Sequence, residues 1–245
     1  MYKKKTVFIS GSSSGIGFHL AKSFKEKNYN VIIHGRDSKK LKKASKKLGN
    51  CDYITGDLTK EKNITKITLA LKKKYNFIDL LICNQGNSQF KKNNLDIKFA
   101  FDNNFFSTIN LISSSKKLLR RNASKIICIS SICGLETISG APLGYSIAKS
   151  ALNFYIKNFS YQLAEDGISI NGIVPGNIYF EGSTWQKKMI KNSKKTKRYI
   201  KQNVPINKFG KVEDIFAICK TISDDTSNYI TGSLFKIDGG QTKSL

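Results

Sequence analysis

Arginine is nearly missing from this 245-residue chain: among 42 basic residues, only Arg36, Arg120, Arg121 and Arg198 are arginine. Arginine is the usual reader of base edges. The net charge of +25 is therefore no signature of a sequence-reading nucleic-acid binder. It comes from lysine spread along the chain beside abundant asparagine and isoleucine, a bias that an AT-rich coding sequence produces. No nucleic-acid partner is expected. Histidine is confined to His19 and His34, too few for a metal site, and none is expected. The five cysteines, Cys51, Cys83, Cys128, Cys133 and Cys219, are odd in number and form no CxxC pair. They read as packed, reduced thiols of a cytoplasmic protein. With three prolines, no linker-like tract and no repeat, the chain reads as a single domain over residues 1–245. Long apolar runs are lacking too. The run Val7-Phe8-Ile9 behind the Lys-rich start is too short for a signal peptide or a membrane span. No membrane partner is expected.

What is present is alternation. Short apolar, β-branched runs occur at 6–10, 31–34, 52–55, 80–84, 125–130, 169–174 and 234–237, as expected of strands buried on both faces. Helical periodicity lies between them: Ile16, Leu20 and Phe24; residues 39–48, with Ser38 as cap; 59–75; 97–119; and 144–165. This predicts an α/β fold, a three-layer, Rossmann-like, doubly wound parallel sheet of about seven strands with helices on both faces. Ligands of such sheets bind beyond the carboxyl ends of the strands. Four turns would converge there: the one from Gly11, Asn84-Gln85-Gly86, Ser130-Ser131 and Pro175-Gly176.

The turn Gly11-Ser12-Ser13-Ser14-Gly15-Ile16-Gly17 joins the first strand to the first helix. Glycine lets the backbone approach a pyrophosphate, and a helix N-terminus offers unpaired N–H groups. Ser12 and Ser13 could also donate to phosphate. The second strand ends in Gly35 followed by Arg36, where a carboxylate would bind a ribose 2′-hydroxyl. An arginine instead favours NADP(H), with NAD(H) second. Asp37, one residue on, is expected to face elsewhere. Asp57, followed by Leu58, suits an adenine amine, a helix N-cap, or both.

Tyr145 and Lys149 lie four apart, on one face of a helix. A tyrosine titrates near 10, and a neighbouring ammonium stabilises its phenolate. The pair can exchange a proton with an alcohol or nascent alkoxide. Ser131, fourteen residues before Tyr145, could hold a substrate carbonyl.

Together, Gly11-x3-Gly15-Ile16-Gly17, Asp57, Asn84-Gln85-Gly86, Asn104, Ser131, Tyr145-x3-Lys149, Pro175-Gly176 and Asp238-Gly239-Gly240 resemble the short-chain dehydrogenase/reductase family along nearly the whole chain. The resemblance implies hydride transfer between nicotinamide C4 and a carbonyl or secondary-alcohol carbon. It implies Tyr145 as acid/base, Ser131 as carbonyl orienter, and Lys149 on the nicotinamide ribose, tuning Tyr145. It implies Asn104 holding a relay water beside a local helix irregularity, and the Ile178 backbone on the carboxamide. Asn103 competes for the relay role, and Asn104 is preferred because Asn104-Phe105-Phe106-Ser107 fits the pattern better. The pattern is broken at Gln85, where the family usually carries alanine; this is expected to alter the adenosine wall without removing the site. Family members are commonly tetramers, so a tetramer or dimer is implied, with Phe154, Tyr155 and Phe159 suited equally to an interface or a core.

A substrate lid is expected at about 178–205. Its stretch from Gly182 to Lys201 holds eight basic residues and no acidic one. An anionic or carrier-bound substrate and a merely solvated lid are both compatible with that density. Trp185, Met189 and Ile190 would form its apolar face. The chain most resembles 3-oxoacyl-acyl-carrier-protein reductases. A dehydrogenase of a surface-polysaccharide or amino-sugar pathway is the alternative, suggested by the stretches 81–86 and 175–182. A non-catalytic dinucleotide sensor is a third reading, disfavoured by intact Ser131, Tyr145 and Lys149.

Overall fold

A computed structural model describes residues 4–88 and 95–244. Among these, seven parallel strands form one sheet in the order β3-β2-β1-β4-β5-β6-β7. They are β1 Thr6–Ile9, β2 Asn30–Gly35, β3 Asp52–Thr55, β4 Leu80–Cys83, β5 Lys125–Ile129, β6 Ser169–Pro175 and β7 Leu234–Ile237. The expected fold class is borne out, and every strand-like run of the sequence is a strand.

The period of two along each strand sends alternate side chains to opposite faces. Val7, Ile9, Ile33, Ile82, Ile127 and Ile173 pack on one side against Leu20 and Phe24 of α1 (Gly15–Glu26) and Ile215 of α9 (Val212–Asp224). Phe8, Ile32, Leu81, Ile126 and Ile170 face the other side, against Ile64, Ile67 and Leu71 of α3 (Glu61–Lys74). Leu111 of α5 (Ser107–Ser115) and Leu152 of α6 (Leu143–Ala164) complete that layer. Each fully buried side chain of this size contributes about 2 kcal/mol of transfer free energy. The inner strands β1, β4, β5 and β6 are buried throughout because neither face meets water, whereas the edge strands β3 and β7 are partly exposed.

Two helix starts differ from expectation. Asp37, not Ser38, caps α2 (Ser38–Lys47), its carboxylate accepting from the Lys40 N–H at 3.0 Å. The α3 helix begins at Glu61 behind Lys60, so Asp57 is not its cap. Asp57 Oδ1 instead accepts from the Thr59 N–H at 3.0 Å and the Thr59 hydroxyl at 2.9 Å, closing a local turn. The long segment expected at 97–119 is subdivided into α4 (Leu95–Phe101), a π-helical turn at Asp102–Phe106, α5, and a short 3₁₀ turn at Lys116–Leu118. On α6, Tyr155 and Phe159 pack against the core, while Phe154 is 73% exposed. The stretch where a substrate lid is expected holds α7 (Thr184–Lys191) and α8 (Ser193–Asn203).

The β1 strand pairs with β2 on one side and β4 on the other. Chain direction therefore diverges at the carboxyl ends of β1 and β4, which opens the crevice where such sheets bind ligands.

Candidate active site

A cavity of about 580 Å³ occupies that crevice, and it brings together residues scattered from Gly11 to Tyr199. Its floor at the β1 end is the turn carrying Gly11, Ser13, Ser14, Gly15 and Ile16. The helix behind it has no side-chain cap at Ser14, so its first-turn N–H groups are left for a ligand. Gly17 does not reach the cavity wall; it is needed for contact. A Cβ there would lie 2.4 Å from Asn84 Nδ2 and 2.7 Å from the Gly11 carbonyl oxygen. Asn84 uses that space to donate to the carbonyls of Ser10 at 3.2 Å and Gly11 at 2.9 Å, fastening β4 to the turn.

Ser12 corrects a sequence expectation. Its hydroxyl is fully buried, donates to Ile9 O at 2.6 Å and accepts from the His34 N–H at 2.9 Å. It points into the sheet rather than toward a phosphate. Gln85 likewise turns inward: its amide oxygen accepts from Ser10 Oγ, and its Nε2 donates to Thr108 Oγ1 at 2.9 Å. The larger amide at the alanine position thus ties the end of β1 to α5 while Gln85 remains part of the cavity lining.

The adenosine side is formed by Arg36, Asp57 and Leu58. A Cβ on Gly35 would meet Ser13 Oγ at 3.2 Å. Ser13 therefore occupies the space next to the strand end, where a ribose-binding carboxylate would have to project, and exposed Arg36 follows at the rim. Behind them lies a residue the sequence reading passed over. His34 is buried, and burial lowers its pKa to about 4. Neutral, it accepts from the Gly11 N–H through Nδ1 (3.4 Å) and donates through Nε2 to Gly56 O (3.1 Å). Only its position one residue before Gly35-Arg36 could have signalled it.

At the other end of the cavity stand Ser131, Tyr145 and Lys149. Burial pushes the Tyr145 phenol up to about 12, partly offset by a hydrogen bond with Ser131. Burial also lowers Lys149 to about 8, partly offset by the nearby Cys128, Cys133 and Cys83. The Lys149 ammonium donates to Ile129 O at 2.8 Å and lies 5.8 Å from the Tyr145 ring centroid. Asn104 sits within the π-helical turn, fully buried. Its Nδ2 donates to Ala100 O at 2.9 Å and Asn87 O at 3.0 Å, and its Oδ1 accepts from the Asn87 N–H at 3.0 Å. Asn103 instead donates to Phe99 O within its own helix at 2.9 Å. The carboxamide of Asn104 is thus the one that fixes the loop after Gly86.

Pro175, Gly176 and Ile178 line the wall at the carboxyl end of β6. Ile178 bridges to Gly210, but the bonds are made by its neighbours: Tyr179 N–H to Gly210 O at 2.8 Å and Gly210 N–H to Asn177 O at 3.0 Å. The Ile178 N–H and C=O are turned away from that bridge. An uncapped helix start, a close-packed glycine turn and an arginine at the β2 rim, all in one groove with a phenol and an ammonium, fit a nicotinamide dinucleotide.

Comparison with known proteins agrees. Residues 11–242 match a family model described as enoyl-(acyl carrier protein) reductase. The 3-oxoacyl-[acyl-carrier-protein] reductase of Rickettsia prowazekii (strain Madrid E) is 30% identical over 243 residues, covering 96% of each chain. That of Chlamydia trachomatis serovar D is 28% identical over 246 residues, again covering 96% of each. Among solved structures, ElxO with NADP bound superposes with a TM-score of 0.89 at 27% identity, over 98% of this chain and 99% of that one. The chain belongs to the short-chain dehydrogenase/reductase family of oxidoreductases.

Proposed function

We propose that this chain is an NADP(H)-dependent oxidoreductase, most like a 3-oxoacyl-acyl-carrier-protein reductase, working on a carbonyl or secondary alcohol. The observation that carries the reading is the convergence of Ser131, half-buried Tyr145 and Lys149 on one cavity, with the Lys149 ammonium 5.8 Å from the Tyr145 ring centroid. A bound nicotinamide supplies the hydride donor or acceptor. Ser131 holds the substrate oxygen next to the phenol. Tyr145 gives that oxygen its proton in reduction and takes it back in oxidation. Lys149 stabilises the phenolate left behind, and Asn104 holds a relay water. Gly11, Ser13, Ser14, Gly15 and Ile16 cradle the pyrophosphate, and Arg36 meets the 2′-phosphate. Asp57 and Leu58 bound the adenine; Asn84, Gly86, Pro175, Gly176 and the Ile178 backbone bound the nicotinamide half.

NADP(H) over NAD(H) is supported by Gly35 and Arg36, and by the NADP in the ElxO complex. We assign the whole of 1–245 to one catalytic domain with its lid at about 178–205. A homo-oligomer packed through α6, where Phe154 is exposed, and a cytoplasmic location complete the reading. No helix among the described residues is long and apolar enough to cross a membrane. The reading is tested by NADPH consumption with acetoacetyl-CoA. Turnover supports it. Tight NADPH binding without turnover redirects the substrate to nucleotide sugars, the amino-sugar alternative.

A further inference from the structure

Eight basic residues lie between Gly182 and Lys201, and of these Lys188 alone lines the cavity that contains Ser131 and Tyr145. Its ammonium stands 4.3 Å from the centroid of the Trp185 ring. Trp185 is stacked on Tyr199 at 5.2 Å and rests 5.5 Å from Phe209, so the ring is braced from two sides. Trp185 and Tyr199 line the same cavity. Among the described residues no carboxylate lies within ion-pair distance of Lys188. The other charged residues on the wall are Arg36 and Asp57 at the adenosine end, and Lys149, committed to Ile129 O. The reacting end is thus positive without a compensating acid. A ring face holds an ammonium in place but takes none of its three N–H donors as an oxygen would. A carboxylate or phosphate would take them in short, charge-assisted bonds.

We propose that Lys188, held over Trp185, is a specificity-determining subsite for an anionic group carried by the substrate at a distance from its reacting carbonyl. This rests on the carbonyl-reductase reading. The anion is either the phosphate of a carrier's prosthetic arm or the carboxylate of a small oxo acid.

Trp185 is the only tryptophan in the chain, so its emission reports on Lys188 directly, with or without turnover. The NADP⁺-saturated protein is titrated with two matched pairs: acetoacetyl-phosphopantetheine against acetoacetyl-pantetheine, and levulinate against methyl levulinate. KM and kcat with NADPH are measured alongside. The proposal expects the anionic member of one pair to bind about tenfold more tightly than its neutral partner, with kcat little changed. Lys188→Met, which keeps the stem over the ring, abolishes that preference and leaves the neutral member unaffected; Lys188→Arg restores it. Discrimination in the first pair identifies a carrier phosphate, and in the second a small oxo acid. Equal binding within both pairs, or a preference that survives in Lys188→Met, overturns the proposal. Turnover without charge discrimination defeats the subsite alone. Charge discrimination without any turnover defeats the reductase reading for these carbonyls and leaves the subsite standing.

Discussion

Nδ1 of His34 lies 3.4 Å from the Gly11 backbone nitrogen, so a buried imidazole supports the turn that would carry the cofactor pyrophosphate. Its other nitrogen meets Gly56 O at 3.1 Å, which couples that turn to the loop leading to Asp57. Both contacts require a neutral ring with its proton on Nε2.

Burial lowers His34 from 6.5 to about 4. Between those values the unfolded chain binds a proton that the folded chain refuses. Stability is therefore full above about 6.5 and is lost as pH falls toward about 4, by at most about 3 kcal/mol. His34→Phe, which keeps the edge contact with Phe8, should flatten the dependence of Tm on pH in this window and weaken NADPH binding. An unchanged pH slope would show that His34 does not carry it.

Arg36 sets cofactor choice in this account. Arg36→Ala should lower kcat/KM for NADPH about tenfold or more, through a lost charge-assisted contact, and leave the value for NADH nearly constant. Equal losses for both cofactors would place the 2′-phosphate elsewhere.

Gly17→Ala places a methyl 2.4 Å from Asn84 Nδ2 and 2.7 Å from Gly11 O. The turn must open, so NADPH affinity should fall at least tenfold and Tm should drop by several degrees. Titration and thermal melting of the same sample check both. A variant with wild-type affinity would mean the turn has slack this packing does not show.

The inner strands were legible because each is buried on both faces and so reads as a mostly apolar run; β3 and β7, at the sheet edges, are partly exposed and carry Asp52, Thr55 and Lys236. The glycine turn and the Tyr145–Lys149 pair were legible because their spacing is local. Ser12 was misread because a serine in a phosphate-type turn gives no sign of which way its hydroxyl points; the hydrogen bond to Ile9 O decides it. The role of Gln85 depends on Ser10 and Thr108, more than twenty residues away in either direction, and no local pattern encodes that pairing. The cap of α2 was placed one residue late because Ser38 and Asp37 are both good caps, and the aspartate won. The segments of α7 and α8 are Lys-rich and carry few apolar residues, so their helical pattern was masked by charge. Which of their lysines faces the cavity emerges only from the fold.

In the proposed mechanism Lys149 makes the reaction pH-sensitive. Its ammonium is lost above about 8, whereas Tyr145, pushed up to about 12, remains a phenol across the working range. Reductive kcat/KM should therefore be level below about 8 and decline above it. Lys149→Met should be uniformly slow and lack that limb. A wild-type profile that stays level through pH 9 would remove Lys149 from the proton-transfer step.

The most direct measurement compares wild type and Tyr145→Phe in NADPH oxidation with acetoacetyl-CoA, beside an NADPH titration of each. The account predicts a loss in kcat of at least about a hundredfold, with NADPH Kd within about twofold of wild type, since the phenol oxygen moves the proton and the ring alone fills the space. A Tyr145→Phe variant that turns over at the wild-type rate would contradict the assignment of Tyr145 as the acid and base.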